Sequence, residues 1–448
     1  MFGLCLTPCK SATKNSESAC KLRIRQAFDD YEYYQDGDVI IGGVFTVHSA
    51  VQDFQFTKAP LEHMICMAPF YLWYAHVRIF LFTIEQINNN KEILPNITLG
   101  YHLYDSCLDT RKAVKSVLQI LSGPGKTIPN YSCSERGKVA GFIGDHYSVT
   151  TVPIAQILGI YGHTQISYGA TDYSLSDRRV YPHFFRALQN ERVHFLIIAD
   201  LLKHFGWTWV GIFTSDDDGG NQQSLILTKY LNDQGICVAY TIHSNKGIKN
   251  DLHHISEIVR KSSAQVIVIC GPLTYASIST LLVLKDIFHS KTLILPPSWA
   301  SKEEVFLANI GTFNGSLGIE LFPIFFSGPE NYFKDIKPSK FPNDGLLADI
   351  YSLYLQCLSL SSLKNKMLNF FYRISLQNCT GKESLGNLGM DLFTGVSPRV
   401  HFAVNVMAHA VESMNLNLNT APYKREKRTN FKHQYNLPPT SNSLKQLP

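Results

Sequence analysis

From residue 38 onward, short apolar runs rich in β-branched residues take turns with longer segments whose apolar residues recur at helical spacing. The runs DVIIGGVFTV (38–47), ITLGYHLYD (97–105), KVAGFIG (138–144) and TQISYG (164–169) read as strands. Between them, FYLWYAHVRIFLFTIEQINN (70–89), TRKAVKSVLQILSG (110–123) and SVTTVPIAQILGIYG (148–162) read as helices, the second closed by Gly123. The alternation continues with helices at 192–206, 221–235, 251–264 and 274–288. Strands fall at 208–216, 236–244, 265–272 and 291–297. Strands apolar on both faces and separated by helices imply parallel sheets covered on each side. So many βα units exceed one comfortable sheet, and two doubly wound lobes are the natural solution. A ligand then lies outside the carboxyl ends of the strands, in the crevice between the lobes.

The remainder is less regular. A helix is expected near 345–361, and RVHFAVNVMAHAVESM (399–414) is a strong amphipathic helix. After 415 the composition turns to Asn, Lys, Pro and Ser without periodicity, so residues 416–448 read as an unstructured or atypical tail.

Composition narrows the function. The hydrophobic fraction of 45% supports a large core, whereas charged residues make up only 17%, below the roughly 25% of ordinary soluble domains. Glycans or a partner chain would cover such a surface. The net charge of +5 owes much to YKREKRTNFKH (423–433), leaving the rest near neutral and arguing against an extended nucleic-acid surface. None of the 10 cysteines forms a CxxC pair. Sequons at Asn96, Asn130, Asn314 and Asn378, with scattered cysteines, favour a secretory, oxidising compartment. MFGLCLTPCK lacks the basic start and long apolar run of a signal peptide, and the apolar stretch 68–87 is interrupted by His76, Arg78 and Glu85. The expectation is therefore a chain that does not itself span a membrane, and that is either an incomplete piece of something larger or has ends other than those of its relatives.

Three stretches carry candidate chemistry. In FGWTWVGIFTSDDDGG (205–220) a strand ends in Asp216, Asp217 and Asp218. A two-metal enzyme needs carboxylates converging from several strand ends, and no phosphate cradle accompanies these, so a solvated turn or a cleft rim fits better. In AGFIGDHYSVTTVPIAQ (140–156), Ser148, Thr150 and Thr151 stand where a helix begins. Their hydroxyls and the free backbone N–H groups can cap the helix or hold an anion. QISYGATDYSLSD (165–177) opens from a strand into small and hydroxyl residues that let a ligand approach the backbone. Nucleophilic catalysis has no GxSxG elbow to rest on. Lone histidines such as His48 and His194 read as structural or exposed.

Taken together, YEYYQDGDVIIGGVFTVH, ITLGYHLYDSC, QISYGATDYSLSD, YPHFFRALQNE, HFGWTWVGIFTSDDDG and VNVMAHAVESM resemble the extracellular ligand-binding region of class C G-protein-coupled receptors. Within that class the vomeronasal type-2 group, with the calcium-sensing receptor as a near relative, is most similar, over residues 20–415. The resemblance implies an α/β, two-lobed, periplasmic-binding-protein-like (Venus flytrap) fold, each lobe a doubly wound mostly parallel sheet. After an N-terminal segment 1–35, lobe 1 would hold residues 36–187 and 322–415, and lobe 2 residues 188–321. It further implies a dimer that closes on an amino-acid-like or peptide chemosignal at the plasma membrane. Ser148, Ala170 and Thr171 would meet the ligand's carboxylate and amine, with Glu191 near the hinge and Asp217 at the lobe 2 rim. Gly219 replaces an aromatic and Pro297 an acid that the resemblance leads one to expect, which weakens a free α-amino acid as ligand.

The same resemblance pairs Cys66 with Cys107 and Cys357 with Cys379, and sets Cys133 as an intermolecular link. It leaves Cys237 unpaired and Cys270 as a buried thiol. No cofactor is indicated, Ca2+ entering only through the resemblance, and no catalytic or metal residue is assigned. A G protein would be reached only through a membrane domain that this chain lacks. The rival readings are a solute-binding protein or guanylyl-cyclase-type ectodomain on the same fold, and a metal-dependent enzyme using Asp216–Asp218.

Overall fold

The computed structural model describes residues 26–27, 30–55, 62–124, 139–216, 218–244, 249–271, 273, 275–300, 313–320, 332–333, 336–380, 383 and 397–420. In chain order the first part comprises β1 (Gln26–Ala27), β2 (Tyr33–Gln35), β3 (Val39–Phe45), β4 (His48–Gln55), β5 (Glu62–Pro69), α1 (Tyr71–Asn89), β6 (Leu99–Asp105), α2 (Thr110–Ser122), β7 (Val139–Ile143), α3 (Ser148–Tyr161), β8 (Thr164–Ser167) and β9 (Phe184–Arg186). There follow α4 (Glu191–His204), β10 (Trp209–Thr214), α5 (Asp218–Asp233), β11 (Cys237–His243), α6 (Lys249–Lys261), β12 (Val266–Ile269), α7 (Tyr275–Val283), α8 (Lys285–Phe288), β13 (Thr292–Leu295), α9 (Pro297–Ala300) and β14 (Leu317–Gly318). Three helices, Gly345–Tyr354, Ser362–Tyr372 and Ser397–Thr420, come later.

The alternation produces two separate wound sheets. One has six strands in the order β2-β6-β3-β7-β8-β9, all parallel except the antiparallel β2–β6 pair. The other has five strands in the order β11-β10-β12-β13-β14, parallel throughout. Every residue of β3 is buried, as a central strand covered on both faces requires. Each sheet has its own core. Phe45, Phe80, Leu99 and Ile143 pack with Val400, Val404 and Met407 of the helix Ser397–Thr420 on the first. Phe213, Ile267, Phe288 and Trp299 pack on one side of the second, with Phe195, Ile198, Leu227 and Val268 forming another cluster. The late helix thus returns to the first sheet. It runs through Thr420, beyond residue 415 where the sequence pattern fades.

Two local expectations are corrected, and one feature is new. The expected helix 274–288 is two helices, broken at Leu284, whose ψ of 18° leaves the helical range without any Gly or Pro to announce it. The helix expected to reach 361 stops at Tyr354. Beyond it Gln356 takes a φ of 56°, and Cys357 bridges to Gln377. Finally, β4 and β5 form an antiparallel hairpin outside both wound sheets, a feature no sequence reading anticipated.

Candidate functional site

The carboxyl ends of β3, β6 and β7 build the floor. Asp145 follows β7 and is buried completely. Its carboxylate accepts from the Thr46 amide at 2.9 Å, the Thr46 and Thr150 hydroxyls at 2.8 Å and the Ser106 hydroxyl at 2.6 Å. Burial pushes this carboxyl above its ordinary range, and the bonds from Ser106, His146, Thr150 and Thr46 oppose that shift. Asp105, at the end of β6, accepts from the amides of Val47 at 2.9 Å and Cys107 at 2.8 Å, and pairs with His48 Nδ1 at 2.5 Å. His48 is thus structural and buried, one of the two readings open for it.

Above this floor α3 begins. Its N-cap is Tyr147, which makes no side-chain capping bond, so Ser148 is the first helical residue and not the cap. The three hydroxyls near the helix start separate in role. Thr150 bonds to the Asp145 carboxylate and Thr151 donates to the Asp145 carbonyl at 3.3 Å, both fully buried. Only Ser148, half-buried, turns to the neighbouring loop, where its Oγ accepts from the Asp172 amide at 3.2 Å.

That loop leaves β8 under tight control. The Ser167 hydroxyl donates to the Asp145 carbonyl at 2.8 Å and accepts from the Ala170 amide at 3.0 Å. Gly169 has no alternative, since a Cβ there would collide with the backbone oxygen and Nδ1 of His146. Thr171 Oγ1 donates to Glu191 Oε1 at 2.7 Å, while the Glu191 amide donates back to the Thr171 carbonyl at 3.1 Å. Glu191 opens α4, so this reciprocal pair ties the end of the first sheet to the first helix of the second. Ala170, Thr171 and Glu191 are 0%, 6% and 2% exposed, so they form a closed joint rather than an open wall.

Arg186, the last residue of β9, was not foreseen from the sequence. Its guanidinium donates to the carbonyls of Ala170 at 3.2 Å and Asp172 at 3.0 Å, and to Ser176 Oγ at 2.8 Å. Burial lowers it to about 10, against the raising influence of Asp172 and Glu191. Its sequence signal was a cation closing the short run YPHFFR. Arg192 adds a second tie, hydrogen-bonding the Tyr230 hydroxyl with its guanidinium 5.8 Å from the Tyr173 ring centroid and 5.7 Å from that of Tyr230. On the second sheet Asp216 is exposed, its amide donating to Ser244 Oγ at 3.3 Å, and Asp218 begins α5. Asp217 lies outside the described residues.

Ser148, Ala170, Thr171 and Glu191 therefore converge along one path, through Asp172 and Arg186. Two cavities, of about 640 and 670 Å3, border α1, one shared with His401 and Asn405 and the other with Tyr33, Tyr101 and Asp344, and include none of them.

Cys66 pairs with Cys107 (Cα–Cα 5.6 Å) and Cys357 with Cys379 (5.3 Å). Cys237 is an exposed thiol. Cys270 is a buried one, pushed up to about 12 by burial. Asn96, Asn314 and Asn378 are exposed, whereas Asn130 and Cys133 lie outside the described residues. Among the described residues, the one cluster of three or more metal-capable side chains is His48, Cys66 and Cys107. It offers nitrogen and sulfur, which do not suit Ca2+, an ion that takes oxygen ligands.

Two wound lobes, joined by a hydrogen-bonded crossover, with a helix start and hydroxyl loop at the strand ends, define a bilobal ligand-binding domain. The sequence pattern of the receptor family ligand binding region matches residues 79–442, and the chain belongs to that family. The chain is 24% identical to the human extracellular calcium-sensing receptor over 415 residues, covering 86% of this chain and 38% of the receptor. It is 26% identical to mouse vomeronasal type-2 receptor 26 over 338 residues (72% and 39%), and 27% identical to rat taste receptor type 1 member 3 over 303 residues (64% and 35%). These are all class C G-protein-coupled receptors. The chain thus spans well under half the length of the curated relatives it matches. Among the described residues no helix is long and apolar enough to cross a membrane.

Proposed function

We propose that this chain is the ligand-capturing region of a vomeronasal, pheromone-type class C receptor, closing on a small amino-acid-like or peptide ligand between its lobes. The observation that carries this reading is the division of labour at the start of α3. Thr150 and Thr151 serve the floor, while the Ser148 hydroxyl and the adjacent helix N–H groups stand at the loop 170–172. A helix N-terminus and a hydroxyl suit a carboxylate. Glu191, buried and bonded to Thr171 within the closed joint, places a negative charge beneath this loop that favours a ligand ammonium by its field rather than by contact. Lobe 1 is taken as 36–187 with 322–415, and lobe 2 as 188–321. Closure would be read out by a dimer, with Cys133 linking protomers, Asp217 on the cleft rim, and glycans on Asn96, Asn130, Asn314 and Asn378 facing the extracellular side of the plasma membrane. Signalling to a G protein would need a membrane domain joined to this region.

The test is thermal-shift screening of amino acids and short peptides against the oxidised chain. A hit should raise Tm in the wild type and much less in Ser148→Ala. At a ligand concentration 100 times Kd, stabilisation is about 2.7 kcal/mol. A hit that stabilises both proteins equally, or a screen without hits across both classes, would contradict the reading.

A further inference from the structure

The Cys66–Cys107 disulfide sits against a histidine already prepared in the way a metal ligand is prepared. One ring nitrogen of His48 and the sulfurs of Cys66 and Cys107 lie within 4.8 Å of one another, and all three residues are buried. Asp105 Oδ2 holds His48 Nδ1 at 2.5 Å, and Asp105 is itself fixed by the amides of Val47 at 2.9 Å and Cys107 at 2.8 Å. A carboxylate on one imidazole nitrogen sets the tautomer and directs the other nitrogen outward as a ligand. The Nε2 side is not closed by a hydrogen bond to Asp349, whose Oδ2 stands 3.8 Å away. A cavity of about 40 Å3 adjoins it, lined by His48, Cys66, Asp349, Lys364 and Tyr31 among others. One water needs roughly 10–15 Å3 of such space.

We propose that the reduced form of this chain carries a zinc site made of His48 Nε2, Cys66 Sγ and Cys107 Sγ, with water from the adjoining cavity as the fourth ligand. Two thiolates, an imidazole and a water match the donor set of tetrahedral zinc, and soft thiolates select it over Ca2+ or Mg2+. The disulfide masks the site. A phosphine reductant opens it: the S–S bond breaks, the phosphine takes the oxygen of one water to become its oxide, and the two hydrogens of that water end on the two sulfurs. Zn2+ then displaces both thiol protons, so two protons are released for each ion bound. The assignment rests on the hairpin β4–β5 and the end of β6 and is independent of any ligand in the cleft.

The test uses the full chain with one equivalent of cobalt(II) added before the phosphine, without oxygen, so that the fold is intact when the bond opens. The reduced wild type should develop a thiolate-to-cobalt charge-transfer band that one equivalent of zinc abolishes. The oxidised protein should show none. Cys66→Ser with Cys107→Ser should lose the band, Cys357→Ser with Cys379→Ser should keep it, and His48→Ala should bind at least tenfold more weakly. Equal bands in the wild type and the Cys66/Cys107 variant would overturn the proposal, as would unchanged affinity in His48→Ala. Loss of the circular-dichroism signal on reduction, with no cobalt retained, overturns it too.

Discussion

His194 shows how a single buried side chain makes stability depend on pH. It is 0% exposed, neither ring nitrogen has a hydrogen-bond partner among the described residues, and burial together with nearby Arg399 lowers it from 6.5 to about 4. The folded state therefore keeps it neutral, whereas the unfolded state binds a proton below 6.5. Stability rises with pH wherever the unfolded chain binds more protons, so this contribution is lost as pH falls from 6.5 towards 4. The full effect is on the order of 3 kcal/mol, each pH unit in the window contributing about 1.4. Urea unfolding of the wild type and His194→Asn at pH 7 and pH 5 should show the wild type losing more. Parallel losses would refute the assignment. Thr171 poses a different test. Its hydroxyl donates to the buried Glu191 carboxylate, a charge-assisted bond whose removal in Thr171→Val should cost about 1.5–3 kcal/mol. An unchanged urea midpoint would show the bond contributes nothing net.

Elements differ in how openly their residues announce them. The strands β3, β10 and β12 were legible because burial on both faces demands largely apolar runs. Helices α2 and α4 declared themselves through apolar spacing and a glycine just beyond each end, Gly123 and Gly206. The hairpin β4–β5 was not legible. Its residues HSAVQDFQ and EHMICMAP mix polar and apolar without strict alternation, and it leans on a bond between Cys66 and Cys107 that only a three-dimensional contact or a resemblance supplies. The site divides likewise. Ser148, Thr171 and Glu191 were picked out by resemblance, whereas Asp145 and Arg186 were missed because their partners are backbone groups and hydroxyls distant in sequence. The hairpin therefore makes a prediction of its own. The disulfide closes a separation of 41 residues, so replacing both cysteines by alanine should destabilise the oxidised chain by about 2–5 kcal/mol. Proteolysis between residues 48 and 69 should speed up correspondingly, and equal cleavage rates would show that the bond does not hold this hairpin.

In the molecule as a whole, the sheets have separate cores but meet at a polar joint, where Thr171, Glu191, Arg186 and Asp172 share hydrogen bonds. A joint of directional bonds resists sliding yet permits rotation, unlike a fused apolar core. Closure then depends on differential affinity: a ligand that binds open and closed forms equally shifts nothing. Moving the population from 1:99 to 99:1 needs about 5.5 kcal/mol of preference for the closed form. A ligand found by thermal shift should therefore reduce the radius of gyration in small-angle scattering of the oxidised chain. Thr171→Val should separate the two effects. With the Thr171–Glu191 bond gone, ligand affinity would fall while the fully liganded state reached the same compact radius, if the proposed contacts to Ser148 and the α3 N-terminus hold the ligand. Glu191→Gln keeps the hydrogen bond but removes the charge, so it should weaken ligands bearing an ammonium far more than those without one. If a stabilising ligand leaves the scattering unchanged in the wild type, it binds without closing the lobes. The joint would then be a rigid strut, and capture by closure would be wrong for this chain.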